Sequence, residues 1–134
     1  MTHDELQGWL DRYVEAWKTY KPADIEELFT EDAEYRYHPW DEPVKGRAAI
    51  VADWINPGGN PAQRDAPGTF EASYAPYAIE GDLVVAVGTT TYYKDATRVE
   101  VDRAYHNVYL MQFDEANNCR SFTEHFMPLP KQKA

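Results

Sequence analysis

Glu124 is the residue in this sequence whose type and surroundings best suit acid–base chemistry. It lies in a run whose alternation predicts a β-strand, and it shares one face of that strand with Phe122 and Phe126. A carboxylate on an apolar face loses hydration, which raises its pKa toward the range useful for proton transfer near neutrality. A solvated or salt-bridged residue near the sheet end is the alternative interpretation, and the sequence leaves both open.

Histidine and asparagine side chains elsewhere could act together with Glu124. His38 precedes Pro39 at the end of a predicted strand, where an imidazole could serve as a general base or could anchor a loop through backbone hydrogen bonds. His106 and Asn107 are consecutive in another predicted strand, so only one of them can face inward. The inward residue is either a ligand contact or a buried polar group satisfied by its neighbours.

Tyrosines supply further hydroxyl groups that could orient an oxygenated substrate. The candidates are Tyr13, Tyr35, Tyr37, Tyr74 and Tyr109. Tyrosine is also a large core residue whose hydroxyl can remain in contact with water. Each of these tyrosines, considered alone, is therefore interpreted as a core residue.

Patterns typical of other chemistries are missing from the sequence. No His-x-x-His or His-Glu-x-x-His spacing connects the four histidines, His3, His38, His106 and His125. Neither Ser73 nor Ser121 lies in a Gly-x-Ser-x-Gly turn, and Cys119 has no histidine nearby in sequence. Gly58-Gly59 lacks the Lys-Ser/Thr of a phosphate loop. We therefore expect no metal, no nucleotide and no other cofactor.

Composition limits the class of protein and its partners. The chain has 134 residues, with 13 Lys and Arg against 23 Asp and Glu, so its net charge is −10. This acidic balance disfavours nucleic acid and anionic membranes as partners. With 43% hydrophobic residues, the length predicts one globular domain, residues 1–134. A single cysteine, no N-terminal leader pattern and no long apolar run together predict a cytoplasmic protein.

Three helices are predicted in the N-terminal half. Thr2 and Glu5 have the spacing of a capping box, and the helix that follows carries one apolar stripe: Leu6, Trp9, Leu10, Tyr13, Val14 and Trp17. Pro22 is placed to begin a short second helix that ends near Thr30. A third helix covers Ala48 to Ile55 and stops at a loop rich in glycine and proline.

Aromatic and β-branched runs with a period of two fill the remaining sequence. One strand, Ala33 to His38, is predicted between the second and third helices. Turn residues separate four further strands, which pair consecutively in the simplest arrangement: Thr69–Glu80, Leu83–Tyr93, Val99–Phe113 and Cys119–Met127. The predicted fold class is therefore α+β, with three N-terminal helices packed in the concavity of a strongly curved, mainly antiparallel sheet. Such a sheet leaves a cavity at its mouth.

Several short motifs, in this order of elements, carry a family resemblance. They are Asp11-Arg12-Tyr13-Val14, Leu28-Phe29-Thr30-Glu31-Asp32-Ala33, Glu42-Pro43, Gly46-Arg47-Ala48-Ala49-Ile50 and Phe113-Asp114. Over nearly its whole length the chain resembles the SnoaL-like branch of the nuclear-transport-factor-2-like superfamily. The resemblance implies a cone of helices in a curved sheet, commonly dimeric. That superfamily includes ketosteroid isomerase, polyketide cyclases, scytalone dehydratase and limonene epoxide hydrolase, and also proteins without enzymatic activity, so the resemblance implies fold more strongly than function.

The ketosteroid isomerase pattern implies which positions face the pocket. Its catalytic phenol falls on Tyr13, but its general-base aspartate falls on Tyr37 and its protonated aspartate on Tyr109. Steroid isomerisation needs the carboxylate base, so that activity is discounted. The same register turns Asn107 inward and His106 outward, and it points Phe122, Glu124 and Phe126 into the pocket.

Two functions are compatible with this cavity. The first is cofactor-free acid–base catalysis on a hydrophobic, oxygenated compound by isomerisation, cyclisation, dehydration or epoxide hydrolysis, with Glu124, His38 and Tyr13 as catalytic residues. Substrate contacts are expected at Trp17, Tyr37, Trp54, Asn107, Tyr109, Phe122 and Phe126. The second is a ligand-binding or dimerisation module without turnover. The resemblance, together with Val108 and Leu110 on the outer sheet face, predicts a homodimer in either case.

Overall fold

A computed structural model describes residues 1–130, so the end of the predicted domain, residues 131–134, lies outside the described residues. The helices are α1 (His3–Thr19), α2 (Pro22–Glu26) and α3 (Arg47–Ile55). The strands are β1 (Phe29–Arg36), β2 (Val44–Lys45), β3 (Phe70–Glu80), β4 (Leu83–Tyr93), β5 (Val101–Phe113) and β6 (Cys119–Pro128). Two short 3₁₀ turns, Pro57–Gly59 and Pro61–Gln63, follow α3.

Within residues 1–130, six strands form one mixed, curved sheet in the order β2-β1-β6-β5-β4-β3. Strands β3 to β6 pair consecutively and antiparallel, as the sequence predicted. Strand β1 pairs with β6 in parallel, which the local sequence pattern does not indicate. The α+β prediction is confirmed, and the parallel pair brings the N-terminal part of the chain beside its last strand.

The boundary between α2 and β1 differs from the prediction. Helix α2 ends at Glu26 and β1 begins at Phe29, so the expected helix end near Thr30 is wrong. Phe29 pairs with Cys119 of β6, and the Cys119 N–H donates to the Leu28 carbonyl at 2.8 Å. These contacts draw the segment into the sheet, because strand pairing across the fold overrides a weak local helix preference.

Helix α1 begins with the predicted capping box. The Glu5 N–H donates to Thr2 Oγ1 at 3.1 Å, and the Thr2 N–H donates to the Glu5 carboxylate at 3.1 Å. The apolar stripe of α1 packs on the concave face of the sheet. There Trp9 is fully buried, donates its Nε1–H to the Leu28 carbonyl at 3.0 Å, and lies edge-on to Phe113 at 5.2 Å. This packing holds α1 over the centre of the sheet.

Gly88 of β4 allows a close approach between neighbouring strands. A Cβ atom at this position would lie 2.1 Å from the Ser73 carbonyl oxygen and 2.4 Å from the Tyr74 ring. The Tyr74 ring therefore packs directly against the Gly88 backbone, and its hydroxyl lies 2.7 Å from Thr90 Oγ1 of the same strand as Gly88.

Candidate functional site

A cavity of about 570 Å³ lies between α1, α3 and the concave face of the sheet. Its size lies within the range of pockets that bind drug-sized molecules. Ten of its nineteen lining residues are aromatic: Tyr13, Trp17, Tyr20, Tyr35, Tyr37, Trp54, Tyr92, Tyr105, Tyr109 and Phe126. The polar lining residues are His38, Asp53, Gln63, Asp65, Arg103, Asn107 and Glu124, and the loop after α3 adds Pro57 and Gly58.

Glu124 lies on β6, directly opposite Tyr109 of β5, and its side chain lines the cavity. Burial raises the pKa of Glu124 from its ordinary value of 4.5 to about 7, and the charge of His38 opposes this shift. Within residues 1–130, the Glu124 carboxylate forms neither a hydrogen bond nor an ion pair with any side chain. The environment thus provides an acid–base group that is partly ionised at neutral pH.

His38 follows β1 at the same end of the cavity. Its Nδ1 lies 2.8 Å from Asp41 Oδ2, so this carboxylate orients the imidazole. The ring stacks on Trp40 with centroids 5.0 Å apart and lies edge-on to Phe126 at 5.2 Å. The ring lines the cavity and is held by the Asp41 side chain of its own loop, and not by the backbone hydrogen bond that one interpretation of the sequence expected.

Tyr13 and Tyr35 form a pair of buried hydroxyl groups joined at 2.9 Å. Burial is the main cause that raises the pKa of each phenol well above its ordinary value, and the charge of Glu124 adds to the shift. Both groups therefore stay protonated and act only as neutral hydrogen-bond partners. Tyr109 behaves in the same way, since its pKa is raised by burial and then by the neighbouring Tyr13.

Asn107 is the inward residue of the His106-Asn107 pair. It is 5% exposed and lines the cavity wall, whereas His106 is exposed on the other face of β5. Asn107 Nδ2 donates to the Tyr74 hydroxyl at 2.6 Å, and that hydroxyl lies 2.7 Å from Thr90 Oγ1. Asn107 Oδ1 is buried and has no partner among the described residues. The amide orientation is thus set by β3 and β4.

The other expected substrate contacts divide between the cavity wall and the core. Trp17, Tyr37, Trp54, Tyr109 and Phe126 line the cavity. Phe122 does not: it is fully buried and stacks on Tyr35 with centroids 4.5 Å apart and on Tyr13 at 5.3 Å. Aromatic packing from both sides places Phe122 beneath the cavity, so the expected substrate contact at this position is replaced by a core role.

The sequence does not single out two acidic residues of the cavity, Asp53 and Asp65. Asp53 of α3 accepts a hydrogen bond from the Tyr37 hydroxyl at 2.6 Å, and Asp65 accepts one from Trp17 Nε1 at 2.8 Å. Arg103 of β5 lies over the ring of Tyr92 at 4.1 Å. Asp53 precedes Trp54, an expected substrate contact, on the predicted third helix. This position is only a weak indication that Asp53 reaches the cavity. Asp65 lies in the loop after α3, where the sequence offers no periodicity at all.

A second, mainly apolar groove of about 470 Å³ lies on the outer face of the sheet. Pro39, Trp40, Val108, Leu110 and Met127 line it, together with His125, and the three residues His38, Glu124 and Phe126 line both this groove and the cavity. Trp40 is 81% exposed. The Nδ1 atom of His125 is buried and has no partner in the described part of the chain.

Two further properties concern only the described residues. No group of three or more histidine, cysteine, aspartate or glutamate side chains in residues 1–130 is arranged to hold a metal ion. None of the helices there is both long and apolar enough to cross a membrane.

The fold and cavity define an α+β cone that contains an aromatic, acidic pocket. In overall structure the chain is similar to a solved NTF-2 like protein of unknown function from Burkholderia xenovorans LB400. That likeness has a TM-score of 0.65 at 18% sequence identity and covers 97% of this chain and 88% of the other. At this identity it shows a shared fold and nothing about function.

Residues 10–116 match the family model described as the SnoaL-like domain. This match covers most of the chain, and the protein therefore belongs to the SnoaL-like family within the nuclear-transport-factor-2-like fold. Comparison with curated proteins gives no significant match. The family resemblance predicted from the sequence is confirmed.

Proposed function

We propose that this protein is a cofactor-free acid–base catalyst that acts on a hydrophobic, oxygenated small molecule, with Glu124 as the proton-transferring group. The observation that carries the proposal is a carboxyl group with a pKa of about 7 on the wall of an aromatic cavity. Such a group is partly ionised at neutral pH, so it serves first as base and, once protonated, as acid. The raised pKa is caused by burial, which also keeps competing water away from the proton.

Enolisation of a bound ketone is the step that suits this arrangement best. The Glu124 carboxylate removes a proton from the carbon next to the carbonyl, and negative charge develops on the ketone oxygen. Tyr13 donates a hydrogen bond to that oxygen while it accepts one from Tyr35. When the ketone is β,γ-unsaturated, protonated Glu124 returns the proton to the γ-carbon of the dienolate, and this shift of the double bond completes an isomerisation. In a cyclisation, the enolate carbon instead attacks a second carbonyl of the same molecule, and Glu124 gives its proton to the alkoxide that forms. His38, held by Asp41, lies at the same end of the cavity and helps to orient the substrate.

The experiment measures exchange of the α-hydrogens of 2-tetralone for deuterium in heavy water. We expect the protein to accelerate exchange and Glu124→Gln to lower this acceleration by at least about a hundredfold, the scale of general base catalysis. Glu115→Gln, a change at an exposed residue in the β5–β6 turn, is the matched control and keeps the wild-type rate. An unchanged rate in Glu124→Gln would remove Glu124 from the mechanism.

A binding module without turnover is the second candidate, and one observation favours it. In the described part of the chain, Glu124 has no hydrogen-bonding side chain to orient its carboxylate, whereas catalytic bases usually have such a partner. Under this alternative, the cavity sequesters a hydrophobic molecule. Glu124→Gln then changes only the affinity for that molecule, and no exchange of 2-tetralone is seen with either protein.

Homodimerisation through the outer face of the sheet is part of the proposal. The cross-strand pairs Val87 with Val108, Val85 with Leu110, and Val108 with His125 leave the centre of this face without acidic or basic side chains other than the imidazole, although the chain carries −10 overall. Two acidic copies avoid repulsion by meeting over an uncharged surface.

Light scattering during size-exclusion chromatography tests the dimer. We expect twice the 15.5 kDa chain mass for the wild type and for Val99→Glu, whose side chain is 81% exposed in the β4–β5 turn. Leu110→Glu, which places a charge at the centre of the face, is expected to yield the single-chain mass. A wild-type mass of 15.5 kDa would refute the dimer.

A cytoplasmic location also belongs to the proposal. Its support is the single cysteine, Cys119, which is buried and free rather than part of a disulfide. Fractionation of the native source cells tests it, and recovery in a membrane or secreted fraction would contradict it.

A further inference from the structure

The acidic and basic side chains that line the cavity do not form ion pairs with one another. Its two basic residues each pair with an acid that does not line it: His38 Nδ1 lies 2.8 Å from Asp41 Oδ2, and an Arg103 terminal nitrogen lies 2.7 Å from Asp102 Oδ2. The cavity also contains the carboxylates of Asp53, Asp65 and Glu124.

These three carboxylates form no ion pair with any lysine, arginine or histidine of residues 1–130. Asp53 and Asp65 each accept one neutral hydrogen bond, from Tyr37 and from Trp17. Arg103 and His38 act on Asp65 and Glu124 only from beyond ion-pair distance. Negative charge therefore faces the interior of the cavity without a counter-ion, and an anionic ligand would be repelled.

Aromatic rings of the cavity wall accompany these carboxylates, and two of the rings already contact guanidinium groups. The guanidinium of Arg103 lies 4.1 Å from the centroid of Tyr92, and that of Arg64 lies 5.5 Å from the centroid of Tyr20. Aromatic faces attract cations electrostatically, and the attraction grows when water is excluded. Unpaired carboxylates and aromatic walls together form the type of pocket that proteins use for ammonium groups.

We propose that the ligand of this cavity carries a cationic nitrogen, a protonated amine or a quaternary ammonium, on a hydrophobic ring frame. The proposal deepens the function proposed above and rests on its premise that this cavity binds a small molecule. The cation lies on the side of Tyr37, because the Tyr37 hydroxyl is 2.6 Å from Asp53 Oδ2 and Tyr37, Asp53 and Glu124 line the same cavity. The ring frame packs on the tyrosine and tryptophan walls.

Two matched probes test the class of ligand by isothermal titration calorimetry at about pH 8, where Glu124 is mostly ionised. They are 2-naphthylmethylammonium and 2-naphthylmethanol, which share the ring system and differ in charge. We expect the ammonium to bind at least about tenfold more tightly than the alcohol. Added salt should weaken only the ammonium. Equal affinities, or no measurable binding of the ammonium, would overturn the proposal.

Substitutions show whether the preference arises inside the cavity. Asp53→Asn and Glu124→Gln keep the size of the side chain and the hydrogen-bond acceptor, so each should weaken ammonium binding about tenfold and change binding of the alcohol by less than about threefold. Glu115→Gln removes the same charge from an exposed turn and should leave both affinities unchanged. An equal loss in Glu115→Gln would assign the preference to the net charge of the protein and overturn the proposal.

The ligand class and the proposed catalysis can fail separately. Preference for the ammonium without exchange of 2-tetralone would keep the ligand class and reject the acid–base function. Exchange that depends on Glu124, together with equal affinity for the two probes, would keep the function and reject the cationic ligand.

Discussion

Tyr37 and Asp53 connect the end of β1 to helix α3 by one hydrogen bond, 2.6 Å from the phenol oxygen to Asp53 Oδ2. Burial and then the hydrogen bond to Asp53 raise the pKa of the Tyr37 phenol, so the hydroxyl stays protonated and donates. Hydrogen bonds to a charged acceptor are stronger than those between neutral groups. This contact therefore helps to hold one wall of the cavity.

Tyr37→Phe removes the donor and leaves a partly buried carboxylate without its partner. We expect the free energy of unfolding to fall by about 2 kcal/mol, measured by urea denaturation. Tyr77→Phe is the control, because Tyr77 is 71% exposed and its hydroxyl has no partner within residues 1–130. Equal effects of the two changes would show that the contact with Asp53 adds no stability.

Glu124 makes stability depend on pH in a direction opposite to that of most carboxylates. Its pKa is about 7 in the folded protein and 4.5 when unfolded, so the folded state binds more protons between these values. The free energy of unfolding therefore falls as pH rises from about 4.5 to about 7. Relative to Glu124→Gln, the wild type should lose about 3 kcal/mol between pH 5 and pH 8, as an order of magnitude. A constant difference between the two proteins would contradict the raised pKa.

Gly88→Ala is expected to destabilise the fold strongly. The new methyl group would lie 2.1 Å from the Ser73 carbonyl oxygen and would meet the Tyr74 ring, so β3 and β4 would have to separate. We expect a loss of more than about 3 kcal/mol in thermal or urea unfolding. Gly8→Ala provides the contrast, because Gly8 lies in open space on α1 and alanine favours helix by about 1 kcal/mol. A tolerated Gly88→Ala would mean that the sheet adjusts there at little cost.

Cys119 should be chemically inert in the folded protein. It is fully buried, its Sγ lies 3.2 Å from the Ser121 carbonyl oxygen, and burial raises the pKa of the thiol. A thiol-reactive disulfide reagent should therefore label the native protein at least about a hundredfold more slowly than the protein in denaturant. Fast labelling under native conditions would show that the pairing between β1 and β6 opens readily.

Local patterns predict the parts of this fold that depend on neighbours in sequence. The capping box at Thr2 and the apolar stripe through Trp9 determine α1, and the period of two determines strands β3 to β6. The start of β1 was missed because Phe29 is held by Cys119, a residue about 90 positions away. The hydrophobic periodicity of a short segment does not indicate such a pairing.

The sequence likewise predicts only part of the candidate site. Glu124 could be proposed from the alternation of Phe122, Glu124 and Phe126, although the same alternation does not separate a wall residue such as Phe126 from a core residue such as Phe122. Asp65 reaches the cavity only because its loop folds back on Trp17. Contacts of that kind depend on tertiary packing, which a single sequence does not display.

The parallel pairing of β1 with β6 has a consequence for biosynthesis. A ribosome releases the chain from its N-terminus, so β1 and the helices emerge long before the strand beside which β1 must lie. Non-local pairings of this kind slow folding, because a long loop must close before any contact forms. The nascent chain therefore exposes Trp9 and Phe29 until synthesis is nearly complete. A chain that stops before residue 119 lacks strand β6, and with it the core residue Phe122 and Glu124. Such a fragment would bind chaperones and would not fold on its own.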